Sequence, residues 1–327
     1  MKANKLTEFF LIDRISNKFK EYRTEVIKGI GDDAAVVKIN SKRYVLYTCD
    51  ALVAGVHFSE KYFSPYQIGR KAAAVNLSDI AAMGGVPKHL LISLFLPKGT
   101  TEQFIGELYK GLIDECKKYD VDIIGGNISK NNQFIIDVFL TGEISSKNIV
   151  LRSGAQIGDA VAVTGTLGDA FTGLKLLQNH SKGKEISNNF KKKFISKHLM
   201  PIPRVKEGIL IAQSGKVNSM IDISDGLSSD IGHICDESNL GVKIFLENLP
   251  VSNGVNKLTA LNGGEDYELC FTASFKNIQY LSQILKKSTG TDITIIGEII
   301  PPKNGRWIID KKGRKKLLRP QGWDHFA

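Results

Sequence analysis

Hydrophobic residues in this chain follow two patterns, short runs rich in β-branched residues and longer segments with helical spacing. The short runs predict strands at 44–48, 89–96, 121–126, 134–143, 160–165, 217–224, 242–246, 267–272 and 292–299. The longer segments predict helices at 65–83, 101–119, 225–237 and 278–287, a further helix from Ala170, and an amphipathic helix within residues 1–15. The chain therefore predicts a fold that mixes helices and strands.

The order of these elements distinguishes between two classes of mixed fold. The strands at 121–126 and 134–143 follow each other without a helix between them, which favours α+β over a doubly wound parallel sheet. With 327 residues the chain is long enough for two domains. We therefore expect an N-terminal domain at 1–150 and a C-terminal domain at 151–327, with a polar loop or loose helical end at 180–193.

Composition narrows the class of protein. Hydrophobic residues make up 42% and charged residues 24% of the chain, which is typical of globular domains that bury their own cores. The four cysteines lie far apart and form no CxxC pair, so the sequence excludes a zinc ribbon, a thioredoxin-like motif and a dense disulfide framework. No apolar run approaches the roughly 18 residues of a membrane span, and the N-terminus lacks a signal-peptide pattern. We expect a soluble, cytoplasmic protein with no membrane partner.

The net charge of +10 raises the question of a nucleic-acid partner. Basic runs occur only at 191–193 and 311–316, and neither is interleaved with aromatic residues as nucleic-acid surfaces often are. Such runs are usually solvated loops or helix faces. The charge pattern therefore favours no nucleic-acid partner, although a basic surface would attract a phosphorylated small molecule.

Acidic residues beside glycine or at strand ends are the first candidates for chemistry. Asp32 and Asp33 are adjacent, and since neighbouring side chains of an extended chain point in opposite directions, we expect one of them to face a site. Asp50 follows an apolar strand, and Asp79 lies in a predicted helix of small, mostly apolar residues. A carboxylate in such a helix must be paired or bind a cation. For Asp32 and Asp33, the alternative to a site is that they are simply turn residues.

A further acidic cluster ends the predicted strand at 217–224. Asp222 and Ser224 would share one face of that strand, and Asp225 would begin the next helix, where an N-cap is its alternative role. Scattered carboxylates without a His/Cys cluster offer the hard oxygen ligands that Mg²⁺ prefers. Mg²⁺ in such a site usually accompanies a polyphosphate.

The common nucleotide-binding fingerprints are missing. The sequence has no GxxxxGK[ST] segment and no protein-kinase set of glycine-rich loop, HRD and DFG. Gly125-Gly126 after one predicted strand and Gly263-Gly264 before another could let the backbone approach a ligand closely, with simple turns as the alternative. If ATP binds, it binds by a different architecture.

Seven segments together resemble the thiamine-monophosphate kinase family. They are GIGDDAAV (29–36), TCDALVAGVHF (48–58), AVNLSDIAAMGG (74–85), LRSGAQIGD (151–159), IDISDGLSSDIGHI (221–234), GGEDYELCFT (263–272) and GWDHF (322–326). The first of them and the GGED-type segment also occur in a wider superfamily that includes aminoimidazole ribonucleotide synthetase, selenophosphate synthetase and a hydrogenase-maturation ATPase. The resemblance covers nearly the whole chain.

This resemblance implies an α+β fold of two domains, with the N-terminal sheets of two subunits paired into a barrel and the active site between the domains. It implies ATP-dependent phosphorylation of thiamine monophosphate to thiamine diphosphate by a homodimer with several Mg²⁺ ions. Transfer would be direct and in line, because the acceptor phosphate is already ionised and needs no strong base. The alternatives are a sister ATP-dependent synthetase of the superfamily and a non-catalytic nucleotide-binding relative.

The resemblance also implies roles for individual residues. The metal ligands would be Asp33, Thr48, Cys49, Asp50, Asp79, Asn127, Asp222 and Asp225. ATP would be bound by Gly126, Asn127, Arg152 and Ser224, and thiamine phosphate by His57, Glu265 and Trp323. The catalytic set would be Asp33, Asp79, Asp222 and Arg152.

Two of these residues suit the chemistry of the substrate, and two others depart from the family pattern. The thiazolium cation of thiamine would suit the aromatic face of Trp323 and the carboxylate of Glu265. Cys49 stands where a hydroxyl residue is usual. Asn127 stands where an aspartate is usual, which keeps a carbonyl ligand but removes one negative charge from a metal site.

Overall fold

The computed structural model describes residues 7–16, 18, 22–178, 188–323 and 326. The helices are α1 (Glu8–Ser16), α2 (Pro65–Ala82), α3 (Glu102–Lys117), α4 (Asp169–Gln178), α5 (Asn188–Leu199), α6 (Val205–Gln213), α7 (Leu227–Ser238), α8 (Lys257–Asn262) and α9 (Phe275–Thr289). The strands are β1 (Val26–Lys28), β2 (Ala35–Lys38), β3 (Arg43–Val53), β4 (Val86–Leu96), β5 (Asp122–Lys130), β6 (Ile135–Ser145), β7 (Ala160–Thr164), β8 (Ser219–Asp222), β9 (Gly241–Phe245), β10 (Leu269–Ala273), β11 (Ile293–Ile300), β12 (Arg306–Ile309) and β13 (Lys315–Leu317). No described helix is long and apolar enough to cross a membrane.

The first domain is built on a six-stranded sheet of order β1-β2-β3-β6-β4-β5. Its neighbouring strands are antiparallel except β4 and β5, which are parallel. Helices α2 and α3 pack on one face, where alternate residues such as Leu46, Ile92 and Val138 are fully buried. We call this the inner face and the opposite one the outer face. Strand β5 forms one edge of the sheet.

The second domain is built on a seven-stranded sheet of order β13-β12-β9-β11-β7-β10-β8. Neighbouring strands are antiparallel except β9 and β12. Strands β7 and β10 are apolar along most of their length and buried throughout, because helices cover both faces of the sheet. Strand β8 at one edge ends at Asp222, which brings that carboxylate to the junction with the first domain.

Helix α2 joins the two domains. It begins at a capping box in which the Ser64 hydroxyl accepts from the Gln67 backbone N–H and the Gln67 side chain accepts from the Ser64 N–H. Its small residues allow very close contact, since a Cβ on Gly208 of α6 would lie 2.2 Å from the Ala81 carbonyl oxygen. One side of α2 packs on the first sheet and the other on α6 and β8. Polar side chains near its C-terminal end therefore reach both domains.

The mixed α+β fold of two domains is confirmed, but several predicted boundaries are wrong. Strand β5 continues to Lys130, so Gly125 and Gly126 lie inside the strand rather than after it. A Cβ on Gly126 would lie 1.9 Å from the Ile92 carbonyl oxygen, so close pairing with β4 requires glycine there. Residues 188–193, part of the segment predicted as a loop or loose helical end, belong to α5, while 179–187 lie outside the described residues. Helix α6 and the short strands β1, β2, β12 and β13 were not predicted, because elements this short show little periodicity.

The close packing of α2 on α3 can be tested at Gly69. A Cβ there would lie 2.0 Å from the Leu108 carbonyl oxygen, so Gly69→Ala must push the helices apart. We expect the urea midpoint to fall, with a loss of about 1–3 kcal/mol. Gly106→Ala on α3 is the control, because a Cβ there has open space and helix propensity should add roughly 1 kcal/mol. Similar changes in both variants would contradict the close approach.

Candidate active site

A cavity of about 1660 Å³ lies between the two domains and extends past β3 to α1. Single-ligand pockets usually measure about 300–1,000 Å³, so this one has room for two small substrates. Residues of both domains and of the C-terminal tail form its walls. The sequence-predicted residues that line it are Asp33, Thr48, Cys49, Asp50, His57, Asp79, Arg152, Asp222, Ser224, Asp225, Glu265 and Trp323.

Three carboxylates from distant parts of the chain meet in this cavity. One oxygen each of Asp33, Asp79 and Asp222 lies within 4.8 Å of the other two. Asp33 precedes β2, Asp79 lies in the last turn of α2, and Asp222 ends β8. We call these three residues the acidic cluster. Three negative charges so close together are unfavourable unless cations compensate them.

Hydroxyl groups and an arginine hold the acidic cluster in place. The Thr48 hydroxyl donates to Asp79, and the Ser78 hydroxyl donates to Asp222 Oδ2 at 2.6 Å. Arg152 Nη2 donates to Asp33 Oδ1 at 2.7 Å. Among the described residues, the buried Asp33 Oδ2 atom has no hydrogen-bond partner.

Burial and repulsion from neighbouring carboxylates shift the pKa values of Asp79 and Asp222 in the acidic cluster. Burial raises the pKa of Asp222 to about 8, and Asp33 contributes in the same direction. Burial, with Asp50 and Asp222 close by, raises the pKa of Asp79 well above its usual range. In the absence of a cation, burial and repulsion therefore favour the protonated forms of Asp79 and Asp222.

Arg152 is fixed by both aspartates of the Asp32-Asp33 pair. Its guanidinium contacts Asp33, while its backbone N–H donates to Asp32 Oδ1 at 3.2 Å. Both residues line the cavity, and Asp33 is the one whose carboxylate joins the acidic cluster. Burial works against the charge of Arg152, but Asp33 and Asp32 outweigh it and raise the arginine pKa. Arg152 is therefore a permanent cation beside three carboxylates.

Alternation along β3 separates the predicted ligands of that strand. Thr48 lies on the inner face and contacts Asp79, and Asp50 is on the same side because it lies two residues further on. The Cys49 thiol lies on the outer face, 3.3 Å from Asp137 Oδ1. Burial and Asp137 raise the pKa of that thiol to about 12. The Cys49 side chain is thus on the opposite face of the sheet from the acidic cluster.

Gly126 and Asn127 are also distant from the acidic cluster of their own chain. Asn127 pairs with Ser93, which pairs with Asp137, which pairs with Ala51 of β3. Three strand spacings of about 4.8 Å separate Asn127 from Ala51 by roughly 14 Å. The Asn127 amide donates to Ser129 Oγ at 3.1 Å on the outer face. The structure therefore does not bring these two residues together with the other predicted ligands.

The loop after β8 corrects two sequence expectations. Because β8 ends at Asp222, Ser224 does not share a strand face with it and lies in the loop instead. The N-cap of α7 is Gly226 rather than Asp225, with a φ of +118° that favours glycine. Asp230 Oδ2 accepts from the Gly226 N–H at 3.0 Å and fixes the turn. Ser224 and Asp225 are consequently presented to the cavity by a tightly held loop.

The C-terminal tail crosses this loop. The Trp323 N–H donates to the Asp225 carbonyl oxygen at 3.0 Å, and the Gly322 N–H donates to Ser229 Oγ at 3.2 Å. A Cβ on Gly322 would lie 2.3 Å from the Asp225 carbonyl oxygen, so the tail can lie this close only with glycine there. Trp323 lines the cavity and is 53% exposed. Asp324 and His325 of the GWDHF segment lie outside the described residues.

His57 and Glu265 also line the cavity. His57 Nδ1 accepts from the Val53 N–H at 2.9 Å, so a neutral ring carries its proton on Nε2. Glu265 has a φ of +69°, an uncommon conformation that is found most often at functional sites. Its carboxylate contacts Lys71, and its Oε2 lies 2.9 Å from His198 Nδ1.

These contacts change the role expected for Glu265. Burial opposes its ionisation, but Lys71 and His198 outweigh burial and lower the pKa to about 2. The negative charge is therefore permanent but already compensated within the protein. Sequence reasoning missed Lys71 and His198, although the argument applied to Asp79, a charge in a helix of small apolar residues, applies equally to Lys71. For His198 the sequence offered no signal.

The donor set of the acidic cluster fits a magnesium ion. Mg²⁺ prefers hard oxygen ligands and often uses one or two carboxylates together with substrate phosphates. The cluster supplies carboxylate oxygens at close spacing, and Asp33 Oδ2 is buried without a partner among the described residues. A buried anionic oxygen of this kind is costly unless it binds a cation.

Comparison with known proteins shows similarity over nearly the whole chain. Residues 31–144 match the family model of the AIR synthase related protein N-terminal domain, and residues 156–310 match its C-terminal domain. The chain is 39% identical to the thiamine-monophosphate kinase of Buchnera aphidicola, covering 98% of this chain and 99% of the relative. It is 37% identical to the thiamine-monophosphate kinase of Escherichia coli, with 98% of each chain covered. The solved structure of AaThiL complexed with AMPPCP and TMP superposes with a TM-score of 0.84 at 37% identity, over 99% of each chain.

Repulsion in the acidic cluster predicts that Asp79→Asn stabilises the metal-free protein. The folded-state pKa values of Asp79 and Asp222 are raised, so the folded state binds more protons than the unfolded one and stability falls as pH rises from about 4 to about 8. We expect Asp79→Asn to gain about 1 kcal/mol at pH 8 and less at pH 5, measured by urea unfolding with a chelator. Asp292→Asn, which removes an exposed carboxylate paired with Lys286, should show no such gain. A loss of stability at pH 8 would contradict the repulsion.

Proposed function

The chain belongs to the thiamine-monophosphate kinase family of AIR synthase related proteins and is a kinase, and we propose that it transfers the γ-phosphate of ATP to thiamine monophosphate. The product would be thiamine diphosphate. The observation that supports this most directly is the acidic cluster beside Arg152 in a cavity large enough for both substrates. The relative complexed with AMPPCP, an ATP analogue, and TMP covers 99% of this chain, which supports the same substrate pair here.

The phosphates would be held where the acidic cluster and Arg152 meet. Asp33, Asp79 and Asp222 would bind Mg²⁺, with Thr48, Asp50 and Asp225 close by, and Ser224 would contact the phosphates from its loop. When bound, Mg²⁺ neutralises charge on the phosphate oxygens. Arg152 offers a planar fork of donors suited to phosphate. As phosphate oxygens arrive, Arg152 can exchange its contact with Asp33 for a contact with them.

The acceptor needs no general base from the protein. A phosphate monoester is already largely ionised near neutral pH, so positioning and charge neutralisation are sufficient for a loose phosphoryl-transfer transition state. His57 would donate from Nε2 to the acceptor phosphate, because its Nδ1 is occupied by the Val53 N–H. We therefore propose direct in-line transfer without a covalent intermediate on the protein.

The thiamine moiety would bind between Trp323 and Glu265. The exposed face of Trp323 suits the thiazolium cation. The charge of Glu265 is already compensated by Lys71, so its contribution to binding would be mainly as a hydrogen-bond acceptor, for which a carboxylate has about four lone-pair sites.

We further propose that the protein is a homodimer joined through the first sheet, in which the two sheets form a barrel. The supporting observation is the edge strand β5, where Ile124 and Ile128 are 59% and 63% exposed. A long edge strand with exposed apolar side chains is unfavourable in a monomer because it leaves backbone and apolar groups without partners. The outer face is partly apolar as well, with Leu91 37% exposed. In such a dimer Gly126 and Asn127 would act at the site of the second copy, since they are distant from their own acidic cluster.

The other candidate functions have less support. A sister synthetase or a non-catalytic relative would not be expected to match thiamine-monophosphate kinases at 35–39% identity over nearly the whole chain. A cytoplasmic location and the absence of a nucleic-acid partner stay predictions, as does the domain boundary near residue 150.

The proposed activity predicts a clear acceptor preference. Purified protein with MgATP should convert thiamine monophosphate to thiamine diphosphate, while thiamine should be a poorer acceptor by about a hundredfold or more in kcat/KM, because no base is positioned for a free hydroxyl. Chromatographic assay of both products measures this. Asp79→Asn is the control that should lose most of the activity. Equal turnover of thiamine and its monophosphate would contradict direct transfer to an ionised acceptor.

The asparagine at position 127 predicts that the enzyme needs more Mg²⁺ than a protein with aspartate at that position. If Asn127 contributes a neutral carbonyl to a metal site, Asn127→Asp adds a negative charge there and strengthens metal binding. We expect the Mg²⁺ concentration for half-maximal activity to fall by about threefold, roughly 0.7 kcal/mol. Sedimentation should show dimers for both proteins, so that only the charge differs. Superimposable magnesium titrations would mean that the substitution is functionally silent, and a monomeric wild type would contradict the dimer.

A further inference from the structure

Lys71 is a fully buried lysine whose ammonium group contacts both predicted substrate-binding segments. It lies on α2, its side chain has 0% exposure, and its Nζ donates to the His57 carbonyl oxygen at 3.0 Å. The same Nζ donates to Glu265 Oε1. Its position 5.4 Å from the centre of the Phe63 ring adds a cation–π contact.

These contacts connect three segments that are far apart in the sequence. The His57 loop follows β3 in the first domain, Glu265 precedes β10 in the second, and α2 lies between the two sheets. A lysine ammonium has three donors, and two of them are accounted for by these acceptors. A buried lysine is costly unless it is paired and hydrogen-bonded, so the pair constrains where both loops can lie.

Glu265 is held from two sides. Besides Lys71 on Oε1, His198 Nδ1 lies 2.9 Å from Oε2. His198 is itself buried and packs edge-on against Phe63, with ring centres 5.4 Å apart. Phe63 thus contacts both groups that hold the carboxylate. The result is a rigid support behind a residue whose backbone is in an uncommon conformation.

We propose that Lys71 is a positioning residue that sets the distance between His57 and Glu265 and thereby determines affinity for the acceptor substrate. It does not line the cavity, so it acts through these two residues rather than by touching the substrate. The nucleotide half of the site depends on the acidic cluster and Arg152, which Lys71 does not contact. Loss of Lys71 therefore weakens acceptor binding selectively. This inference rests on the proposed function.

The test compares Lys71→Met with wild type in kinetics and binding. Wild type must first turn over thiamine monophosphate with MgATP; if it does not, the proposed function fails and the role of Lys71 in that reaction fails with it. If it does, we expect Lys71→Met to raise the KM for thiamine monophosphate by about tenfold or more. The KM for MgATP and its calorimetric affinity should stay within about twofold of wild type. Lys71→Arg, which keeps the charge, should recover part of the acceptor affinity.

Arg70→Met is the matched control. Arg70 is the neighbouring residue on α2 and donates from Nε to the buried Glu115 at 2.6 Å, away from the cavity. Its loss should lower stability without changing the KM for either substrate. If Lys71→Met is not folded, Lys71→Gln replaces it, since glutamine keeps a donor without the charge.

Three results would overturn the proposal. The first is an unchanged or lower KM for thiamine monophosphate in the folded Lys71 variant, which would mean that the lysine does not position the acceptor site. The second is an equal rise in both KM values, or the same rise in Arg70→Met, which would indicate a general structural effect. The third is the failure of both Lys71→Met and Lys71→Gln to fold, which would assign Lys71 to folding alone.

Discussion

The burial of like charges at the junction of two domains is the constraint on which this structure depends. Asp33, Asp79 and Asp222 come from the first sheet region, from α2 and from the second sheet, and their oxygens lie within 4.8 Å of one another. Such an arrangement costs folding energy unless cations are present. Arg152 supplies one cation, and the carboxylate oxygens of the cluster are hard ligands of the kind that Mg²⁺ prefers.

Helix α2 makes this arrangement possible because many of its side chains are small and a few are polar at positions that reach both domains. Its glycine and alanine residues let α3 and α6 approach within backbone contact. Its polar residues Lys71, Ser78 and Asp79 then reach groups of both domains. One helix therefore contacts the acidic cluster and the pair formed by His57 and Glu265, through residues about two helical turns apart.

The buried ion pair of Arg204 and Glu268 differs from the acidic cluster in having its charges and hydrogen bonds satisfied. Arg204 donates to both oxygens of the buried Glu268 at 2.6 Å, and Thr164 adds a further hydrogen bond. That network is balanced in charge and needs no ligand. The acidic cluster has more negative than positive groups and a buried oxygen without a partner among the described residues. Charge balance, rather than burial, thus distinguishes the acidic cluster from the Arg204–Glu268 pair.

The family, the mixed fold and most of the acidic residues of the site could be predicted from the amino-acid sequence, because those features depend on local patterns. Periodicity predicted α2 almost to the residue, and the position of Asp79 within it indicated a cation partner.

Which of these residues contact one another could be seen only in the folded structure, because contacts depend on strand faces and on packing between segments far apart in the chain. Alternation along β3 separates Cys49 from Thr48, the sheet order puts Asn127 three strands from β3, and the end of β8 at Asp222 moves Ser224 into a loop. The contacts of Lys71 and His198 with Glu265 are known only from the folded structure, since no local sequence pattern encodes a contact between residues 71, 198 and 265.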